Sequence, residues 1–231
     1  MFSSLISDFR QLFFPHYCLG CGSDLVGPCD PLCLQCTSSL PHTGFANLEM
    51  NPVEQAFEGR VPFRFAFSEF YFSKGQIIQT LIHQLKYNGN KALGQYLGAL
   101  MGASLLLSPR ISPPDILIPL PMFAEKEFKR GYNQATLLCM GISGKTGIPV
   151  NNISITRNRA TETQTKKHRT ERWVNVEGSF SVQANSLIEG KHILLVDDVI
   201  TTGATLEACA QTLLQIPGTS ISFAAIAFAS R

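Results

Sequence analysis

With 231 residues, 45% of them hydrophobic and 16% charged, the chain is long enough for one or two packed domains and too apolar for a disordered segment. A formal net charge of +2 is too small to imply a nucleic-acid binder by itself, and no run reaches the apolar length of a membrane helix. Partners must therefore be recognised locally, and a cytoplasmic location is the expectation.

The first stretch, "MFSSLISDFRQLFF", places Phe2, Leu5, Ile6, Phe9, Leu12 and Phe13 at helical spacing and so makes one wholly apolar face. Asp8 and Arg10 stand where a signal peptide would be unbroken, and the polar face has a single Arg and no Lys. Packing of this helix onto the protein body is favoured over an interfacial membrane anchor.

Next comes "CLGCGSDLVGPCDPLCLQC", five cysteines within 19 residues, while Cys139 and Cys209 sit alone in apolar helical stretches and read as small core residues. Cys18-x-x-Cys21 and Cys33-x-x-Cys36, separated by eleven residues, each form a knuckle that aims two thiolates at one point. Two knuckles complete the closed four-cysteine shell of structural zinc. Cys29 is an alternative to Cys33 as a ligand, and a redox or disulfide cluster is the rival reading of the whole. Gly20 and Gly22 give the knuckle its permissive backbone, and the segment has too few apolar residues for a core without metal. It also has no Lys or Arg between residues 18 and 36, so it lacks the charge to grip phosphates by itself.

After a polar stretch without clear period, strands and helices alternate. "FRFAFSEFYF" predicts a strand, "KGQIIQTLIHQLKY" an amphipathic helix and "ALGQYLGALMGASLLL" a more buried one. "DILIPLP" predicts a strand, "NQATLLCMGISGKTG" a helix closing at Gly147, and "NISITR" a short strand. "HILLVDD" is a strand, "TLEACAQTLLQI" a helix ended by Pro217 and Gly218, and "SISFAAIAFAS" a last strand. This alternation predicts an α/β fold with a mostly parallel sheet and helices on both faces, whose ligands bind beyond the carboxyl ends of the strands. Residues 157 to 175 are irregular and carry six basic side chains, Arg157, Arg159, Lys166, Lys167, Arg169 and Arg172. They make either a solvated loop or a basic lid over an anionic ligand.

The densest chemistry lies in "HILLVDDVITTGAT". Asp197 and Asp198 follow a strand too apolar to be anything but buried, so they are expected at the carboxyl edge of the sheet, where two adjacent anions call for a Mg²⁺ ion or ligand hydroxyls. Thr201, Thr202, Gly203, Ala204 and Thr205 then lead into a helix beginning near Leu206, and N–H groups and hydroxyls at a helix N-terminus suit a phosphate. A plain polar turn with a Thr cap is a weaker account of so long an ordered pattern. A Walker B strand would need a Walker A loop. The nearest candidate, "CMGISGKT", has Cys139 where the first glycine belongs and lies late in a helix, so it is rejected.

"ILLVDDVITTGAT" resembles the PRPP-binding signature of type I phosphoribosyltransferases. Together with "LKYNGNKALG", "LIPLPMFAEKEFKRGYNQATLL", "TQTKKHRTERWVNVEGSF" and the cysteine cluster, it makes nearly the whole chain similar to the ComF family of competence-associated proteins. The resemblance implies a type I phosphoribosyltransferase-like domain over residues 51–231, preceded by an amphipathic helix and zinc ribbon over residues 1–50. It implies that Asp197 and Asp198 accept hydrogen bonds from ribose hydroxyls and that Thr201 to Thr205 hold the 5-phosphate. The turn carrying Pro121 and Met122, with Arg130 beyond it, would face pyrophosphate, and Lys167 and Arg169 would belong to a lid. Two functions follow as expectations. One is Mg²⁺-dependent transfer of phosphoribosyl from PRPP to a nitrogenous base or amine; the other is a non-catalytic competence factor assisting single-stranded DNA uptake. Tyr132 and Trp173 are candidates for base stacking, with packing the favoured role.

Overall fold

In the computed structural model, which describes residues 17–27, 30–158 and 179–229, a four-stranded parallel sheet forms the centre, in the order β1-β6-β5-β2. Its strands are β1 (Ala66–Tyr71), β2 (Ile116–Pro119), β5 (His192–Ile200) and β6 (Ser220–Phe228). All residues of β6 after Ser220 are buried, as are all of β2 and the first five of β5, so both faces of the sheet are covered. That is the environment in which near-continuous apolar strands are stable. The expected mostly parallel α/β sheet is what the chain forms.

Among the described residues the helices are α1 (Leu34–Ser38), α2 (Pro52–Phe57), α3 (Ile77–Tyr87), α4 (Lys91–Leu107), α5 (Ala124–Arg130), α6 (Gln134–Thr146) and α7 (Ala204–Leu213). Asn90 caps α4 by accepting from the Leu93 N–H at 3.1 Å, and α6 closes on Gly147 in the left-handed conformation, φ 77°. α4 and α6 lie against each other at glycine contacts. A Cβ on Gly98 would stand 2.2 Å from the Leu138 carbonyl oxygen, and one on Gly141 would stand 2.1 Å from that of Gln95. Only glycine permits this approach, so the stripe Gly94, Gly98, Gly102 sets the distance between the two helices.

Two differences from the sequence pattern have local causes. "NISITR" does not join the main sheet. Asn151 Oδ1 accepts from the N–H groups of Ile153 and Ser154 at 3.1 and 2.9 Å, a tight turn that redirects the chain. β3 (Ile155–Arg157) then pairs antiparallel with β4 (Phe180–Val182) as a separate ribbon. The main sheet is extended instead at Leu117, whose N–H and C=O bond to Pro149 and Asn151. The second difference is α5, seven residues between β2 and α6 that the pattern leaves without an element; it carries Glu125 and Glu127 in its first turn and Lys129 and Arg130 in its last, and has no buried side chain.

The connection leaving β2 runs outward to residues 149–151, whereas the connection leaving β5 runs the other way to β6. The chain therefore changes direction between β2 and β5, the topological switch point at which open α/β sheets bind ligands.

Candidate functional site

Asp197 and Asp198 lie within β5 rather than beyond it. The sequence pattern ends the strand on the acids, but β5 continues to Ile200, paired with β6 through Ile200–Phe228. The opening is on the other side, because β2 stops at Pro119, opposite Val196. Leu120 donates one more bond to the Val196 carbonyl at 2.8 Å, and Pro121 has no N–H to continue the ladder. Two prolines thus uncover the acids along one edge while the long apolar β6 holds their backbone.

The acids sit in a charged setting. Asp197 Oδ1 accepts from the Asp198 N–H at 2.8 Å, and Asp198 Oδ2 pairs with Lys86 Nζ at 2.9 Å. Burial, with the neighbouring Asp198 charge adding to it, pushes the Asp197 carboxyl up to about 7, while Lys86 and Arg157 pull the other way. Arg157 ends β3, and its guanidinium carbon lies 4.1 Å from the centroid of the Phe123 ring and 5.4 Å from that of Phe180. Its buried Nε meets no partner among the described residues.

Beyond β5, Thr201 and Thr202 are exposed and lead to Gly203, which precedes α7 with φ 73°. A Cβ at Gly203 would come within 2.6 Å of the Phe57 ring, which itself stacks on Phe223 at a centroid distance of 4.1 Å. Glycine is required there by both backbone and neighbour. The first N–H groups of α7 have no carbonyl behind them in the helix, so with the Thr201 and Thr202 hydroxyls they form a donor-rich corner. Arg60 braces it from across the chain. Its Nη1 donates to the carbonyls of Thr202, at 2.8 Å, and Ala56, at 2.6 Å, and its Nη2 pairs with Glu207 in the first turn of α7.

Pro121 and Met122 follow β2 at the neighbouring strand end, and Arg130 reaches back to them. Its Nη1 lies 3.9 Å from Met122 Sδ and bonds to Gln134 Oε1, and its guanidinium carbon is 5.6 Å from the centre of the Tyr87 ring. Asn133 ties this loop to α6 by donating to the Leu120 carbonyl at 3.0 Å and accepting from Ala135 N at 3.0 Å. Asp197, Asp198, Thr201 to Thr205, Pro121, Met122 and Arg130 are thus carried on one edge of the sheet. Lys167, Arg169 and the rest of 159–178, with Trp173, lie outside the described residues, as do Cys29 and the helix expected over residues 2–13. Tyr132 is a packing group: it is buried, and its hydroxyl donates to the Leu85 carbonyl.

Sequence reasoning misses Lys86 and Arg60. Lys86 stands in "LKYNGNKALG", a stretch that carries the resemblance but no chemistry of its own; Arg60 stands in the stretch without period. Arg157 reads as part of a basic loop, and its approach to the rings of Phe123 and Phe180 has no local signal.

At the other end of the chain, the sulfurs of Cys18, Cys21, Cys33 and Cys36 all lie within 4.8 Å of one another, and Cys21 Sγ and Cys33 Sγ are 3.8 Å apart. Four thiolates about 2.3 Å from a tetrahedral zinc have edges of about 3.8 Å, so the donor set fits that ion. Burial opposes ionisation of Cys18, but the backbone N–H groups of Cys33, Cys21 and Gly20 outweigh it and draw the thiol down to about 6. A Cβ on Gly20 would approach Cys36 Sγ and the Ile77 side chain of α3, both at 2.9 Å. The cluster is seated on the main body by that contact and by a 3.2 Å hydrogen bond between the hydroxyls of Thr37 and Tyr96. Residues 41–43 bond along β1, through Tyr71 N to the Pro41 carbonyl and Thr43 N to the Glu69 carbonyl. Cys139 and Cys209 are fully buried, as small core residues should be.

The profile of the phosphoribosyl transferase domain family matches residues 135–230, which include β5, the acids and α7. The chain is 32% identical over 141 residues to the "DNA utilization protein YhgH" of Salmonella typhimurium, a match spanning 60% of this chain and 61% of that protein. It is 26% identical over 213 residues to "Competence protein F" of Haemophilus influenzae, spanning 88% of this chain and 93% of the relative. To "Competence protein ComFC" of Bacillus subtilis it is 39% identical over 100 residues, 43% of this chain and 38% of the relative. Among the described residues no helix is long and apolar enough to cross a membrane.

Proposed function

We infer that this chain is a ComF-family protein with a type I phosphoribosyltransferase-like domain, and we propose that the edge formed by β2, β5 and α7 binds PRPP. One observation carries the reading: acceptors on β5 and donors at the N-terminus of α7 stand a few residues apart at the switch point of the sheet. A ribose 5-phosphate asks for both on one molecule. Asp197 and Asp198 accept from the ribose hydroxyls, and Thr201, Thr202, Gly203, Ala204 and Thr205 hold the 5-phosphate. Pro121, Met122 and Arg130 face the pyrophosphate, and Lys167 and Arg169 add positive charge from the basic segment.

The reaction we propose is phosphoribosyl transfer to a nitrogenous base or amine. The bond from the anomeric carbon to pyrophosphate breaks as a bond to the acceptor nitrogen forms; pyrophosphate leaves with the electron pair, and the acceptor releases a proton. Mg²⁺ bound with PRPP would spread the charge growing on the leaving group. Residues 1–50 act as a zinc-dependent module and residues 51–231 as the catalytic domain. Thiolates kept as metal ligands suit a reducing cytoplasm.

A second reading is favoured by the names of the relatives, two of them competence proteins and one a DNA utilization protein. In it the fold binds PRPP without turnover and the basic segment engages single-stranded DNA during uptake. Calorimetry with PRPP and Mg²⁺ tests the premise of both: binding is expected for the native chain and lost when Asp197 and Asp198 are both changed to Ala. Absence of binding to the native chain overturns it. Pyrophosphate release across a panel of bases marks the enzyme; salt-sensitive binding of single-stranded DNA, lost on changing Lys166, Lys167 and Arg169, marks the second reading.

A further inference from the structure

We propose that Lys86 is a counter-ion which PRPP exchanges: it neutralises Asp198 in the empty site and moves to the pyrophosphate when the ribose hydroxyls take over that carboxylate. The inference rests on the reading of the site as a PRPP site. Lys86 Nζ lies 2.9 Å from Asp198 Oδ2, and the two side chains remain 26% and 15% exposed, so the pair is reachable by a ligand. The pair stands at the acids and is partly open to water, so a ligand that offers hydroxyl donors to Asp198 can take the place of the ammonium.

The backbone beneath Lys86 is anchored. The Tyr132 hydroxyl donates to the carbonyl of Leu85, the residue before it, and Leu85 itself is buried. The Lys86 ammonium has Asp198 as its ion-pair partner, at the end of a flexible four-carbon stem. The next residue, Tyr87, contacts Arg130, which in turn touches Met122 in the loop after β2. The end of α3 therefore spans both halves of the site, with the acids on one side and the loop expected to face pyrophosphate on the other. Ribose hydroxyls satisfy Asp198 as donors, and the released ammonium lies beside the anomeric end of the same ligand, where the negative charge is. A lysine suits this exchange because it is a compact point charge and needs no fixed planar geometry.

The test compares two ligands that differ in the pyrophosphate alone. With Mg²⁺ present, Lys86→Met is expected to weaken PRPP binding by roughly tenfold or more, the value of a lost charge-assisted contact. Ribose 5-phosphate should bind unchanged or more tightly, since Asp198 is then free of its partner. Lys86→Arg should restore most of the PRPP affinity, and thermal unfolding of each variant reports that it is folded. Equal weakening of both ligands would make Lys86 a structural residue, and no weakening of PRPP would remove it from the site; either overturns the proposal. Failure of the native chain to bind either ligand overturns the PRPP reading itself, and the exchange with it.

Discussion

At the cysteine cluster four sulfurs lie within 4.8 Å of one another in a segment whose buried apolar residues beyond the cysteines are few, Val26, Leu32 and Leu40 among them. At the open edge of β5, Asp197 and Asp198 project from a strand whose first five residues are buried and whose ladder to β6 runs past them to Ile200. Both places gather groups that repel when ionised. In the first, a metal ion held by the four thiolates would supply the attraction that offsets the repulsion. In the second, the packed sheet holds the groups in place whether or not a ligand is present, and the cost appears as a displaced pKa. On the proposed reading, the first site is made by its ligand and the second is prepared for one.

Metal removal should separate the two regions most sharply. Structural zinc is worth an apparent 10 to 16 kcal/mol or so in zinc-finger peptides, roughly more than the segment's core can replace. Metal analysis is expected to find one zinc per chain, lost with Cys36→Ser. Hydrogen exchange after chelation should show protection lost over residues 17–27 and 30–40 and retained in β5 and β6. Protection that survives chelation in the cluster would show that the contacts of Gly20 with Ile77 and of Thr37 with Tyr96 suffice without metal.

The complementary experiment disturbs the core beneath the second region. Gly98→Ala or Gly141→Ala drives a methyl group into a backbone carbonyl of the facing helix, at 2.2 and 2.1 Å respectively before relaxation. Each should cost about 1–3 kcal/mol, the usual range for overpacking. At this chain length that lowers Tm by roughly 2–4 °C per kcal/mol. Zinc content should not change, which separates a core defect from a defect in the cluster.

The displaced pKa gives a third prediction, of opposite sign. The folded chain keeps the Asp197 proton up to about pH 7, whereas the ordinary value is 3.8, so the unfolded chain gives up its proton first as pH rises. Raising the pH through that window therefore removes stability. Asp197→Asn abolishes the penalty and keeps an oxygen for the Asp198 N–H. It should stabilise the free protein at pH 8 by on the order of 1 kcal/mol. Near pH 3 the difference should vanish, and at every pH PRPP binding should suffer. Thermal melts from pH 3 to 8 check the first part, and a stability gain independent of pH would show that charge is not its cause.

The same contrast explains what was legible in the sequence. Two C-x-x-C pairs and the run from His192 to Thr205 are local patterns, and each specifies neighbours within a few residues. Lys86 meets Asp198 from the far side of α4, β2 and α6, and Arg60 meets Thr202 at a sequence separation of 142, so no spacing announces either contact. The extension of β5 past its acids was hidden for a related reason: it depends on the apolar length of β6, while the exposure of the acids depends on the prolines that end β2. The glycine stripe in "ALGQYLGALMGAS" was visible at four-residue spacing, yet only the facing helix shows what it is for.

Arg60 gives the smallest expected effect and tests how far the preparation of the second site extends. Glu207 places a negative charge in the first turn of α7, where it would repel a phosphate held by the same N–H groups. Arg60 answers that charge with one arm and fixes the Thr202 carbonyl and the Ala56 carbonyl with the other, so it holds the corner without facing the ligand. Arg60→Ala should weaken ribose 5-phosphate binding by about 1 kcal/mol, roughly fivefold, through both the loosened turn and the uncovered carboxylate. Adding Glu207→Gln removes the repulsion but not the slack, so it should recover part of the affinity and leave the rest lost. Full recovery would assign Arg60 to charge balance alone, and no recovery would assign it to the shape of the turn; calorimetry on the two variants, at low salt where the charge effect is least screened, decides between them.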